Sequence, residues 1–196
     1  EKKYTFLKEK LKTLANNLSD LRNAELVEFS HDLNKYLKEL YLREANIEII
    51  QSDYTHIGQD EIHLKLNNTK LQKVSTGEFN RLRLAVLALK SQFMNKNGGV
   101  LMLDEIYANL SGEESMSVAK VLSHLAKDYQ IFVISHQPQL TSQSDQHFLV
   151  HREKNSAVRD LCDEERVNEI ARMISGDKIT EDAIKFARGL MEEKCV

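Results

Sequence analysis

Leucines recur at positions 7, 11, 14, 18 and 21, in alternating steps of four and three. That spacing is the seam of a coiled coil, and Lys8, Lys10, Lys12 and Asp20 fall on its outer faces. The register then meets Glu25 and Glu28 and fails. It restarts one position later at Leu26, Phe29, Leu33, Tyr36 or Leu37, and Leu40. Such a slip predicts a helix that changes partner, from a coiled-coil strand to a globular body. A long amphipathic helix of an ordinary bundle is the plainer alternative. After Ala45 the period drops towards two. Ile47, Ile49 and Ile50, a turn around Gly58, then Ile62, Leu64 and Leu66 predict a half-buried antiparallel pair.

Helical spacing returns over residues 79–94, with Leu82, Val86, Leu89 and Phe93 on one stripe. Val100–Leu103 and Ile131–Ile134 are unbroken apolar runs, and a helical stretch from about Glu113 to Lys127 separates them. Strand, helix, strand with apolar strands predicts a buried parallel sheet. Phe148-Leu149-Val150 reads as a third strand, and residues 163–174 and 180–192 as two short helices. Thr180 is placed to cap the second, with Glu181 and Asp182 at its positive end. No internal repeat or low-complexity segment interrupts this order.

Composition narrows the class. Hydrophobic residues make up 41% of the 196 and charged residues 29%, which supports a packed core and excludes a disordered chain. Seven glycines and one proline favour long helices over an all-β sandwich. Lys and Arg number 27 against 30 Asp and Glu, so no overall basic footprint points to nucleic acid. Lys2, Lys3, Lys8, Lys10 and Lys12 make the start locally basic, which fits a solvated coiled-coil face better than a DNA contact. Cys162 and Cys195 form no disulfide framework or zinc spacing, which fits inert thiols in a reducing compartment. His31, His56, His63, His124 and His151 likewise lack metal-ligand spacing. No apolar run approaches the roughly 18 residues of a membrane span, and no leader opens the chain, so no membrane partner is expected. Glu1 already lies inside the helical pattern, and the chain is expected to be part of a longer one.

The sharpest chemical signal is Val100-Leu101-Met102-Leu103-Asp104-Glu105, an apolar strand ending in two carboxylates. In α/β sheets ligands bind at the C-terminal strand edge. Phosphoryl transfer needs one carboxylate to hold Mg²⁺ and another group to orient or deprotonate water. A strand end tipped with solvated acids is the competing explanation. Upstream, Ser75-Thr76-Gly77-Glu78-Phe79-Asn80-Arg81 opens a helix whose free amides and dipole would seat phosphate oxygens. The same residues also spell an ordinary capping box, Ser75 with Glu78. Downstream, Ile131–Ile134 runs into Ser135-His136, which places a histidine at a strand tip near Asp104-Glu105.

In this order the segments resemble the C-terminal half of an ABC-type ATPase head, and within that class the RecN family of SMC-like DNA double-strand-break repair ATPases. Ser75–Arg81 resembles the signature, Val100–Glu105 the Walker B strand, Leu110-Ser111-Gly112 the D-loop and His136 the switch histidine. Ser135-His136-Gln137-Pro138-Gln139, Ser144-Asp145-Gln146-His147-Phe148 and Glu164–Met173 resemble stretches particular to the family. The likeness covers roughly residues 70–192. It implies an α/β fold, the C-terminal lobe of an ABC/SMC-type ATPase head, preceded by a coiled-coil helix. Residues 1–44 would be the end of the coiled-coil arm and its junction, and residues 45–196 the lobe.

The resemblance further implies Glu105 and His136 as catalytic residues and Asp104 as the Mg²⁺ ligand. Ser75, Gly77, Glu78, Ser111 and Gly112 would contact ATP. The implied partners are the N-terminal half of the same head, a second head in an ATP-dependent homodimer, and DNA, in a bacterial cytoplasm at the nucleoid. Thr76 stands where the family has a glycine, Asn80 where it has a serine, and Tyr107 and Asn109 replace an Asp and a Gly. Glycines occur only at 58, 77, 98, 99, 112, 176 and 189, so the sequence holds no Gly-x-x-x-x-Gly-Lys-Ser/Thr phosphate loop. The chain alone is therefore expected to be inactive, and missing sheet partners should leave an apolar edge or face exposed. A transporter ATPase subunit would carry that loop upstream in one compact domain, and heptads stand there instead. A scaffold that has lost catalysis is the remaining alternative.

Overall fold

The computed structural model describes residues 1–93, 98–104, 110–152 and 156–193. Glu105, Tyr107, Asn109 and Cys195 lie outside them. Two compact units form, residues 1–89 and 90–196.

The first unit opens with α1, Lys2–Glu39, one helix of 38 residues. One stripe is buried along its length, since Ala15 and Ser19 stand about five whole turns before Leu33 and Leu37, and the leucine seam lies beside that stripe. Leu7, Leu11, Leu14 and Leu21 are at least half exposed, whereas Leu33, Leu37 and Leu40 are fully buried. Ala15 and Ser19, off the leucine seam, are buried instead. The helix ends in a Schellman arrangement. The Leu42 amide donates to the Leu37 carbonyl at 2.8 Å and the Tyr41 amide to Lys38 at 3.2 Å. Tyr41 holds φ 55° at the position that glycine normally takes.

Strands β1, Ala45–Thr55, and β2, Gly58–Leu66, pair antiparallel with Ile47 opposite Leu64 and Ile49 opposite Ile62; β3, Thr69–Lys70, adds a short third strand. Asn34 pins the start of β1, accepting the Ala45 amide at 2.8 Å and donating to its carbonyl at 3.2 Å. The hairpin tip is tied to α1 by polar groups. Ser19 Oγ donates to Asp60 at 2.6 Å, and Arg22 donates to Asp60 at 2.8 Å and to the Ile57 carbonyl at 2.7 Å. Gly58 holds φ 112°, which disfavours any side chain, and a Cβ there would crowd Leu18 at 3.1 Å and Arg22 at 3.2 Å. Along β2 the two ends are buried, Leu66 at one and Gln59 with Asp60 at the other, while Ile62 between them is 63% exposed.

Helix α2, Thr76–Phe93, corrects the predicted stripe. Leu82 and Leu89 are buried, but Val86 and Phe93 are exposed, and Leu84, Ala85 and Ala88 complete the inner face. The buried arc is centred on Arg81, Ala85 and Ala88, so Leu82 and Leu89 lie at its border and Val86 is turned outward.

In the second unit β4, Val100–Asp104, is joined through α3, Gly112–Leu125, to β5, Gln130–Ile134. The strands run parallel, with Val100 opposite Gln130 and Asp104 opposite Ile134. Helix α3 buries Val118, Val121, Leu122 and Leu125. The expectation of a fully buried sheet is corrected. Leu101, Leu103 and Ile131 are half-buried, whereas Met102 is 79% and Ile134 62% exposed. Among the described residues no second layer covers that face, as expected for a sheet lacking partners. The short helix α4, Pro138–Ser142, starts on the chain's one proline. Strand β6, Phe148–Arg152, does not extend the parallel sheet. It pairs antiparallel with β7, Ser156–Asp160, Val150 opposite Val158.

Helices α5, Asp163–Ser175, and α6, Glu181–Glu192, pack through Val167, Ile170, Ala171, Ala183, Ala187 and Leu190. Thr180 caps α6 as predicted, accepting the Ala183 amide at 3.2 Å.

Candidate nucleotide site

Residues predicted to meet nucleotide fall in both units. In the first, Ser75 opens α2. The Ser75 hydroxyl donates to Glu78 Oε2 at 2.7 Å, the Ser75 amide donates to the same oxygen at 3.2 Å, and the Glu78 amide donates back to Ser75 Oγ at 3.3 Å. The capping box is therefore formed, and it occupies the hydroxyl offered to phosphate. The two readings of this turn are not exclusive, since the cap holds Ser75 on the surface at the positive end of α2. Glu78 sits below the usual carboxylate range, chiefly through the Ser75 hydroxyl, with Arg81 and Arg43 adding their positive charge. A Cβ built on Gly77 meets nothing within 4 Å, so nothing in the chain's own packing demands glycine there.

In the second unit the parallel register brings Asp104 and the step into Ser135-His136 off the same edge. Asp104 and His136 are both exposed. Glu105 lies outside the described residues. Ser111 caps α3 with a second box, its amide donating to Glu114 Oε2 at 2.9 Å and its hydroxyl accepting from the Glu114 amide at 3.3 Å. The segment after His136 lies against this cap: a Cβ on Gly112 would stand 3.1 Å from Gln139 Nε2, and Ser115 Oγ donates to Gln137 at 3.3 Å. Ser135 Oγ accepts the Gln137 amide at 3.0 Å and shapes the turn. The structure thus joins the predicted D-loop to the predicted switch segment. Gln137, Gln139, Arg43 and Arg81 were not singled out as site residues by sequence reasoning. For Arg81 a signal existed, since it lies one helical turn beyond Glu78.

Among the described residues no three or more His, Cys, Asp or Glu side chains assemble into a metal cluster. A lone carboxylate at a strand end nevertheless fits Mg²⁺, which takes one or two carboxylates and fills its shell with water and phosphate oxygens. The family-like segments 144–148 and 164–173 touch, because Arg166 of α5 is buried and donates to the Ser144 carbonyl at 2.5 Å.

Solved structures of similar fold are SMC heads. The Smc head domain with coiled coil and joint from Pyrococcus yayanosii matches with a TM-score of 0.59 and 19% identity, over 86% of this chain and 34% of that one. A chain described in work on ATP-driven dimerization and DNA stimulated activation of SMC ATPases matches at TM-score 0.54 and 21% identity, over 80% and 99%. The chain has the fold of an SMC-type ATPase head lobe with its coiled-coil helix.

Within that class the sequence is RecN-like. It is 40% identical over 185 residues to the DNA repair protein RecN of Helicobacter pylori strain J99 and 32% identical over 200 residues to that of Rickettsia prowazekii. These matches cover 92% and 94% of this chain but only 35% and 36% of the relatives, so it spans about a third of their length. No family model matches the chain. The RecN matches do not favour a generic ABC head.

Proposed function

We propose that this chain is the C-terminal part of a RecN-like ATPase acting in recombinational repair of DNA double-strand breaks. One observation carries the reading: the parallel pair β4–β5 releases Asp104 and Ser135-His136 at one edge, in a chain that is RecN-like along nearly all its length. Asp104 would hold Mg²⁺, which would neutralise charge on the γ-phosphate of ATP, while Glu105 would accept the proton of the attacking water and His136 would donate to a γ-phosphate oxygen. Ser111 and Gly112 line the approach between heads. Ser75 and Gly77 present a hydroxyl and an amide to the nucleotide held by a second head. Residues 1–44 form the end of the coiled-coil arm and its junction, and residues 45–196 the lobe. The phosphate loop comes from the N-terminal part of the same head, and the assembled dimer acts on DNA in the bacterial cytoplasm.

The test is Glu105→Gln in the complete protein. The amide keeps the shape yet cannot accept a proton, so hydrolysis should fall by about two to four decades. ATP binding and head dimerisation should persist. Retention of most of the rate would assign the base elsewhere, to His136 first.

A further inference from the structure

A buried side chain links the arm helix to the helix that opens with Ser75. Arg81 of α2 is 7% exposed and its Nη1 donates to the Leu40 carbonyl at 3.0 Å. Leu40 is the residue at which α1 ends. The Schellman bonds already occupy the carbonyls of Leu37 and Lys38, and the Leu40 carbonyl beyond them is met by Arg81. The next residue, Tyr41, is the one held in a left-handed conformation, so the arm ends on a strained link.

The Leu40 carbonyl and the Glu78 carboxylate both bear on Arg81. Its guanidinium is a rigid fork, and Glu78, one turn earlier on the same helix, lies within its electrostatic reach, as it does for Arg43. Glu78 is at present satisfied by the Ser75 hydroxyl at 2.7 Å and the Ser75 amide at 3.2 Å. A hydroxyl has one proton to give. When a phosphate takes it, Glu78 loses its shortest donor and its charge turns to the neighbouring cations.

We propose that Arg81 is a positioning residue that couples the turn at Ser75 to the end of the arm helix. Engagement of the Ser75 hydroxyl by a phosphate draws the Arg81 fork towards Glu78 and off the Leu40 carbonyl, and the arm's terminus at Leu40–Leu42 loosens. The phosphate as natural trigger rests on the nucleotide reading above; the linkage from Ser75 to Leu40 does not.

Amide hydrogen exchange of the segment 38–43 in the complete, nucleotide-free protein tests the linkage. Arg81→Gln removes a charge-assisted bond and should speed exchange there about tenfold. Ser75→Ala imitates a hydroxyl drawn away and should act in the same direction. Adding Glu78→Gln to Ser75→Ala removes the competing charge and should restore protection, which loss of a simple helix cap would not do. Exchange in α5 and α6 is the internal reference. If Arg81→Gln loosens them too, Arg81→Lys, which keeps a donor but not the fork, reads the same step. Unchanged exchange at 38–43 without the guanidinium, or no restoration by Glu78→Gln, overturns the proposal. ATP added to the Glu105→Gln protein should reproduce the acceleration at 38–43. Failure to bind ATP at all would overturn the nucleotide reading and leave the nucleotide-free series to decide the coupling.

Discussion

Gly77 has open space around its missing side chain and no left-handed φ to justify it. In the first turn of a helix, alanine would cost nothing in packing and would gain about 0.5–1 kcal/mol of backbone entropy. Gly77→Ala should therefore leave the melting temperature of the complete protein unchanged or slightly raised. If the turn approaches a second head's nucleotide, the same methyl group should reduce ATP-dependent dimerisation, measured by sedimentation in the Glu105→Gln background. Ser75→Arg goes further, since a bulky cation replaces the hydroxyl at the surface. It should abolish the dimer while leaving equilibrium ATP binding to each head nearly unchanged. Equal loss of both would mean that the turn meets nucleotide within its own head. At this scale the candidate residues were legible because their types announce their chemistry. The partners of those residues were not, since the Arg81 to Leu40 contact spans 41 positions.

Helix α5 illustrates how local chemistry sets an element's range of stability. Glu165 folds back onto the helix start, accepting the Cys162 amide at 3.0 Å, and it also pairs with Arg159. The Cys162 amide above all, then Arg159, lowers its carboxyl to about 2. A folded value below the unfolded one stabilises the protein above the ordinary carboxylate pKa of about 4.3. That contribution is lost as pH falls from there towards 2. Glu165→Gln should flatten this part of the acid unfolding curve, followed by circular dichroism between pH 5 and 2, and should cost more stability at neutral pH than at pH 2, unlike Thr180→Ala. The latter removes the α6 cap and should cost about 1 kcal/mol in urea titration. Both helices were legible because amphipathic periodicity and caps are local. The β7 strand was not, because all five of its residues are exposed and its short sequence carries no inner face. The stripe on α2 was misplaced for a related reason. Periodicity fixes a spacing but not which side meets a neighbour, and the buried arc runs through Arg81, Leu84, Ala85 and Ala88, leaving Val86 and Phe93 outside.

For the whole molecule, the open apolar surfaces among the described residues include the leucine seam of α1 and the Met102–Ile134 face of the parallel pair. Exposed surfaces of this kind mark contacts that lie elsewhere. We expect the purified 196-residue chain to show no ATP turnover, and mixing it with the N-terminal part of the head to restore activity. Mg²⁺-dependent hydrolysis by the chain alone, abolished by Glu105→Gln, would contradict this. By itself the sequence determined the long opening helix, the antiparallel pair, the strand–helix–strand order and the likeness to RecN. Each of these rests on short-range periodicity or on residue types at fixed spacing. Tertiary structure alone decided that the parallel pair is covered on one face, that β6 leaves that sheet for β7, and that Arg81 reaches the arm's last carbonyl. Those outcomes depend on which surfaces find a layer to cover them and which distant groups satisfy one another. A linear pattern encodes neither, because burial and hydrogen bonding between distant residues exist only once the chain has closed upon itself.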